Sequence, residues 1–328
     1  MNPPSSLAAA ADFSSLHPEI IDSHILTRLD GPALASAACC STALRRHSSH
    51  HSLWFNTCLS TWPSTASPRL TQLISTFPGG GPRAFFSHAF PLLSDRPLSH
   101  PSSAPPPPEL LSAVDIHYDG KLIFSKLHST ETGTDWFRCS PFRVDLLEPK
   151  GVVPTAVKNA SAAADGDTRA GILKGMTLSW ILIDPVGRRA ANISTHEAVS
   201  VQRHWLTGEM QARFASIVGG VQCGIVVTCG GEMVMEVEVK VKEVRLEIED
   251  MDGKHLNGKE SLVILQGALE GEKGTGRNRV QEGRHRYRVF EQMKRERRER
   301  ERRREGDWDM LCVAFGVSIF LYFCCYFL

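Results

Sequence analysis

From Ile21 onward, apolar residues recur at fours, Ile21, Ile25 and Leu29, with Leu26 beside them. A 3.6-residue period places all four on one helical face. Pro18 suits the first turn, where its missing N–H has no partner anyway, and Glu19 and Asp22 favour the positive helix end. Asp30-Gly31-Pro32 ends this helix and opens a second, with Leu34, Ala37, Ala38, Ser41 and Leu44 on one side. "HHSLWFNTCL" supplies a third, carrying Leu53 and Trp54. Three helices this short bury too little apolar surface to stand alone, so a partner or an adjacent domain must cover them.

Beyond residue 109 the period changes to two. "AVDIHYDGKLIFSKLHS" reads as a hairpin turned at Asp119-Gly120, and "DWFRCSPFRVDLL" and "LSWILIDP" continue the strand pattern. In "MVMEVEVKVKEVRLEIED", Met235, Val237, Val239 and Val241 share one face, whereas Val244, Leu246 and Ile248 have the opposite parity. The slip predicts a bulge at Lys242-Glu243, because one extra residue flips every later side chain. "SLVILQGALEG" predicts a short helix with Ser261 near its start. No internal repeat is present.

The pattern ends in residues 310–328, "MLCVAFGVSIFLYFCCYFL", nineteen residues without a charge. As a helix they span about 28 Å, close to the hydrocarbon thickness of a bilayer, and they lack the polar face of a core helix. "KRERRERERRRE" before them holds eight basic and four acidic residues, a positive flank that keeps the body on the cytosolic side. Its opposite charges at helical spacing predict a solvated, salt-bridged helix rather than a nucleic-acid contact, which would interleave aromatics. "PLLSDRPLSHPSSAPPPP" disfavours helix and sheet alike and reads as a passive spacer.

The expected fold class is therefore α+β. It has a disordered N-terminus (1–14), a three-helix unit (15–62) with a helical extension (63–90), and a linker (91–108). A mainly β, sandwich-like domain (109–271), a charged helix (272–309) and a transmembrane tail anchor (310–328) follow.

Composition changes this picture little. The 328 residues are 42% hydrophobic and 22% charged, enough for one or two ordinary cores. A net charge of +1 conceals a basic tail, since residues 284–305 carry eleven Lys/Arg against five Asp/Glu. Nine scattered cysteines without a C-x-x-C pair fit neither a disulfide framework nor a zinc ribbon and read as reduced and intracellular. The N-terminus shows no secretory signal pattern.

Catalytic patterns are lacking: no G-x-S-x-G, H-E-x-x-H or Walker loop occurs, and Gly79-Gly80-Gly81 is not followed by Lys-Ser/Thr. His47, His50 and His51 have no neighbouring Cys or carboxylate in sequence, and Asp250, Asp252 and Glu260 lack EF-hand spacing and read as a plain turn. His196-Glu197 and His204-Trp205 read as structural positions in strands. The expectation is no enzyme, no cofactor and no metal.

Pro18, Glu19, Ile25-Leu26, Leu29, Leu34, Cys40-Ser41, Leu44-Arg45 and Leu53-Trp54 together resemble the F-box. "RLDGPALASAACC" and "LWFNTCLSTWPS" resemble one group of plant F-box proteins, which also carry segments like "SPFRVD", "VQRHWLTGE" and "EDMDGKHLNGKESLVILQ" before a charged run and an apolar tail. The resemblance thus covers most of the chain. His17 stands where an F-box usually has Leu, and Leu44 where Trp is common.

The resemblance implies binding to the Skp adaptor, and through it cullin, in an SCF-type ubiquitin ligase, with the rest of the chain recruiting a protein substrate. It assigns Pro18, Ile25, Leu26, Leu29 and Leu34 to positions that face the adaptor or order the helices that do; Ile21 joins them by spacing alone. The reading is a non-catalytic, membrane-tethered receptor with its body in the cytosol. The alternative is a tail-anchored glycan- or peptide-binding protein without a ligase role. Without the anchor, the location would be cytoplasm or nucleus.

Overall fold

The computed structural model describes residues 16–91, 93, 105–148, 151–159, 171, 173–230, 237–271, 273 and 279–327. The proposed disordered N-terminus and most of the Pro/Ser-rich linker lie outside the described residues. Helix α1 (Pro18–Ile20) runs into a π turn (Ile21–Ile25) and a 3-10 turn (Leu26–Arg28). Then come α2 (Gly31–Cys40), α3 (Thr42–His47), α4 (His51–Thr61), a 3-10 turn (Pro63–Ala66), α5 (Pro68–Ser75) and α6 (Pro82–Ala89). Gly79, Gly80 and Gly81 form the α5–α6 turn at φ 88°, 126° and 60°, a backbone path that explains the glycine run without a phosphate.

Two antiparallel sheets follow. The first has the order β2 (Lys121–Glu131), β1 (Glu109–Tyr118), β5 (Met176–Asp184), β6 (Arg189–Asn192), with β7 (His196–Glu197) also on β5. The second runs β3 (Arg143–Asp145), β11 (Val237–Glu249), β10 (Val221–Gly230), β9 (Met210–Val218), β8 (Ser200–Arg203), with β4 (Val153–Asn159) also on β11. A short helix, α7 (Asp135–Cys139), links β2 to β3, and α8 (Gly258–Glu270) follows β11.

The sheets pack as a sandwich. Val114, Ile116, Leu178 and Trp180 of the first share one core with Phe214, Ile225, Val227, Val244 and Leu246 of the second and with Leu262 and Leu265 of α8. The alternate residues of β1 and β5, Leu111, Ala113, Ile181 and Ile183, belong to a second core with Trp62, Leu70, Ile74 and Phe85 of the helices. Apolar on both faces, β1 and β5 read in sequence as nearly continuous runs. The neighbour that the short helices require is thus the outer face of the first sheet. Ser64 N–H donates to Asp115 Oδ1 at 2.9 Å, Arg69 Nη1 to Glu109 Oε1 at 2.8 Å and Arg188 Nη1 to the Thr76 carbonyl at 3.0 Å.

The hairpin closes at Asp119-Gly120 with φ 49° and 70°, as a two-residue primed turn requires. Pairing passes from Thr228↔Glu243 to Cys229↔Val241, so Lys242 is the extra residue of the bulge. Val241, Val244, Leu246 and Ile248 are all buried because of it. Met235 and the side chains of Val237 and Val239 lie outside the described residues.

Helix α8 begins ahead of Ser261, at a capping box. Glu260 N–H donates to Asn257 Oδ1 at 2.9 Å, and Asn257 N–H donates to Glu260 Oε2 at 3.2 Å. Its first residue, Gly258, presses on α7: a Cβ there would stand 2.0 Å from the Phe137 carbonyl oxygen, which is backbone and cannot swing aside. Gly258→Ala is expected to cost about 1–3 kcal/mol, measured as a lower urea midpoint with unchanged slope.

The charged run and the apolar tail form one helix, α9 (Arg279–Phe327). Its first part lies along β9, with Phe290 buried, and is pinned by Arg284–Glu197 at 2.8 Å, Lys294–Glu249 at 3.1 Å and Arg297–Asp252 at 2.6 Å. Further along, Arg300–Glu296 at 3.5 Å and Arg297–Glu301 at 3.8 Å are the i,i+4 pairs that the mixed run predicts. The helix is long and apolar enough to cross a membrane by length and composition, and its apolar window has no buried share.

Candidate functional site

The six residues singled out at the N-terminus do not share one environment. His17 caps α1, its Nδ1 accepting the Glu19 N–H at 3.3 Å, and Pro18 is exposed at the first helical position. Ile21, Leu26 and Leu34 are sealed in the helical core, while Ile25 and Leu29 are half-buried at its margin. The cause is the π turn. A wider turn puts residues five apart on one side, so Ile21 pairs with Leu26, and the i,i+4 stripe Ile21-Ile25-Leu29 is split.

On the outer side, Leu16 is 38% exposed and Ile20 44%. With Pro18, they are exposed apolar residues at the start of the helical unit that the periodicity does not single out. The signal was the pair Ile20-Ile21: adjacent helical residues point about 100° apart, and only one can enter the core.

Helix α2 is capped by Asp30, whose Oδ1 accepts the Ala33 N–H at 2.8 Å. It stops at Cys40, one residue before Ser41, which is extended (φ −155°, ψ 161°) and caps α3 by accepting the Leu44 N–H at 3.1 Å. Ser41 therefore does not extend the α2 face, and the expected single second helix is two. Leu34 and Ala38 of α2 are buried, and Leu44 packs at the core's edge. Trp54 of α4 is buried and donates its indole N–H to the Ser48 carbonyl at 2.6 Å.

The sandwich contributes a second group of exposed apolar side chains. Trp205 is 88% exposed and Leu206 71%, on the turn between β8 and β9 rather than within a strand. That turn is held by His204, whose Nδ1 accepts the Thr207 N–H at 3.2 Å. Trp136 on α7 is 83% exposed. His196-Glu197 forms β7 beside Thr177 and Leu178. Asp250 Oδ1 accepts the N–H groups of Asp252 and Lys254, each at 2.9 Å, so this acidic stretch is a self-satisfied turn.

All nine cysteines are free thiols. Burial pushes those of Cys58, Cys223 and Cys229 up to about 12, which keeps them protonated and unreactive.

The short helices seated on the sandwich thus leave Leu16, Pro18 and Ile20 exposed, and the sandwich leaves Trp136 and Trp205 turned to solvent. Three curated proteins of Arabidopsis thaliana are similar to it. Probable F-box protein At2g36090 is 46% identical over 94% of this chain and 91% of its own length. F-box protein At2g27310 is 41% identical over 94% of both chains, and F-box protein At3g44326 is 38% identical over 96% of this chain and 90% of its own. The chain belongs to the plant F-box protein family. No family profile matches the sequence, and no solved structure matches it.

Proposed function

We propose that this protein is the substrate-recruiting subunit of an SCF-type cullin-RING ubiquitin ligase, held at a membrane by its C-terminal helix. The observation that carries the reading is the exposed N-terminal edge of the helical unit, Leu16, Pro18 and Ile20, in an F-box family chain whose large apolar side chains from α2 through α6 are buried or half-buried. Pro18, with the half-buried Ile25 and Leu29, meets the Skp adaptor. Ile21, Leu26 and Leu34 act one step back, fixing the helices that present that edge. No catalytic residue is required of such a subunit, because its contribution is proximity: it raises the local concentration of target near the activated ubiquitin.

The target would be met by the sandwich, where the exposed Trp205 is of a residue type enriched among interface anchors and Leu206 beside it adds apolar surface. Their turn adjoins Met210, at one end of β9. Helix α9 makes its last ion pair with the body at Asp252, beyond the other end of the sheet, where Val218 pairs with Val221 and Gln222 with Glu249. From Arg297 the helix runs about 20 Å to Met310 at about 1.5 Å per residue, so a membrane around 310–327 would lie away from Trp205. The basic run would sit on its cytosolic side.

Purification of the tagged chain in detergent is expected to bring down the Skp adaptor. Pro18→Ala with Leu29→Ala should weaken capture about tenfold or more, the loss expected from removing one large apolar contact. A chain ending at Asp309 should leave the membrane pellet and still capture the adaptor. The reading fails if no adaptor is recovered while a known F-box control captures it.

A further inference from the structure

One side-chain cluster, none of whose residues is assigned to the proposed contact, has the donor set of a metal centre. Asp22 on the π turn, His47 at the end of α3 and His50 at the cap of α4 bring a carboxylate oxygen and two imidazole nitrogens within 4.8 Å of one another. Asp22 Oδ1 and His47 Nδ1 are 2.9 Å apart. The His47 and His50 rings stack with centroids 6.2 Å apart and planes 20° from parallel. Asp22 and His47 are partly buried, and His50 is exposed.

His50 occupies a helix N-cap, where a side chain normally accepts a helix N–H, yet it makes no such bond. Its backbone is fixed by the turn from His47, whose carbonyl accepts the His50 N–H at 3.4 Å. The ring is therefore held near the other two donors without being used by the helix.

Two imidazoles and one carboxylate match the protein ligands of three-ligand zinc sites, which leave the fourth position to water. With bonds of about 2.0–2.2 Å, tetrahedral zinc ligands stand roughly 3.3–3.6 Å apart. The cluster reaches that spacing when its widest pair, within 4.8 Å, closes by up to about 1.5 Å, a movement open to the exposed His50 ring, and the hydrogen-bonded Asp22–His47 pair at 2.9 Å opens by about 0.5 Å. The other acid-histidine group, Glu247, Glu249 and His255, is already engaged: Arg245 pairs with Glu247 at 3.0 Å and Lys294 with Glu249 at 3.1 Å.

We propose that Asp22, His47 and His50 form a zinc-binding clip joining the first helix to the α3–α4 corner. It closes a unit whose first helix is built from short α, π and 3-10 turns, the less regular of which hold poorly by themselves.

The test uses the full chain, untagged, in detergent and stripped with chelator, titrated with cobalt(II) and then zinc(II). A single equivalent of cobalt should give visible ligand-field absorption that zinc abolishes, and zinc should raise the unfolding midpoint. His50→Ala, at an exposed ring outside the core, should lose both effects while keeping the metal-free midpoint. Asp22→Asn should lose the absorption too. The proposal is overturned if no stoichiometric cobalt spectrum appears, or if the spectrum survives unchanged in His50→Ala.

Discussion

Asp115→Ala is expected to destabilise the fold by about 2–4 kcal/mol, whereas Asp115→Asn should cost about 1 kcal/mol or less. The Asp115 carboxylate is fully buried where the helices meet the first sheet. It accepts the Ser64 N–H at 2.9 Å, the Ser64 hydroxyl at 2.5 Å and the Ser125 hydroxyl at 2.7 Å. Alanine would leave the buried Ser64 N–H and hydroxyl without their acceptor, whereas asparagine keeps one acceptor oxygen and can donate to the Ser64 hydroxyl through its amide.

The two variants also separate charge from hydrogen bonding. Burial raises the Asp115 carboxyl above the usual carboxylate range, outweighing the opposing hydrogen bonds from Ser64 and Ser125. A raised native pKa means that the fold binds the proton more readily than the unfolded chain does. Its stabilising linkage is complete below the unfolded value near 3.9 and is lost as pH rises through the native one. The wild-type chain should therefore gain stability relative to Asp115→Asn as pH falls from neutral, measured as the difference between their urea midpoints. A difference that stays flat or moves the other way would refute this assignment.

How much of this was legible follows from the range of each interaction. The β1–β2 hairpin, the Lys242 bulge and the long final helix are written in neighbouring residues: a turn dipeptide, a parity slip and an unbroken apolar run. The Asn257-Glu260 capping box was equally local, a polar cap followed three residues later by Glu, but it was hidden in a stretch rich in turn formers. The π turn was not legible, since the spacing of Ile21, Ile25, Leu26 and Leu29 fits an ordinary α-helix as well. Whether Ile21 or Ile20 enters the core depends on how the first helix packs on residues distant in sequence, those that share the core of Ile21. Asp22 beside His47 joins residues 25 apart in sequence, and Ser64 beside Asp115 joins residues 51 apart, so no local pattern marks either pair.

A fragment of residues 1–90 is expected not to fold cooperatively, although it contains the whole F-box-like segment. Its largest buried side chains, Trp62, Phe85, Leu70 and Ile74, share their core with Leu111, Ala113, Ile181, Ile183 and Ala190 of the sheet. Helix α6 rests on β6, and the 3-10 turn Pro63–Ala66 rests on β1 and β2. Removing the sheet uncovers that face at about 25 cal/mol per Å² of apolar surface and strips Ser64 and Arg69 of Asp115 and Glu109. Trp54 and Trp62 are its only tryptophans, so a flat near-UV dichroism signal and a broad melt would report the loss against the sharp transition of the full chain. If the adaptor is the partner proposed here, the fragment should also bind it more weakly than the full chain, because part of the binding energy would go to ordering the helices. A sharp melt for the fragment would mean that the helices support themselves without the sheet.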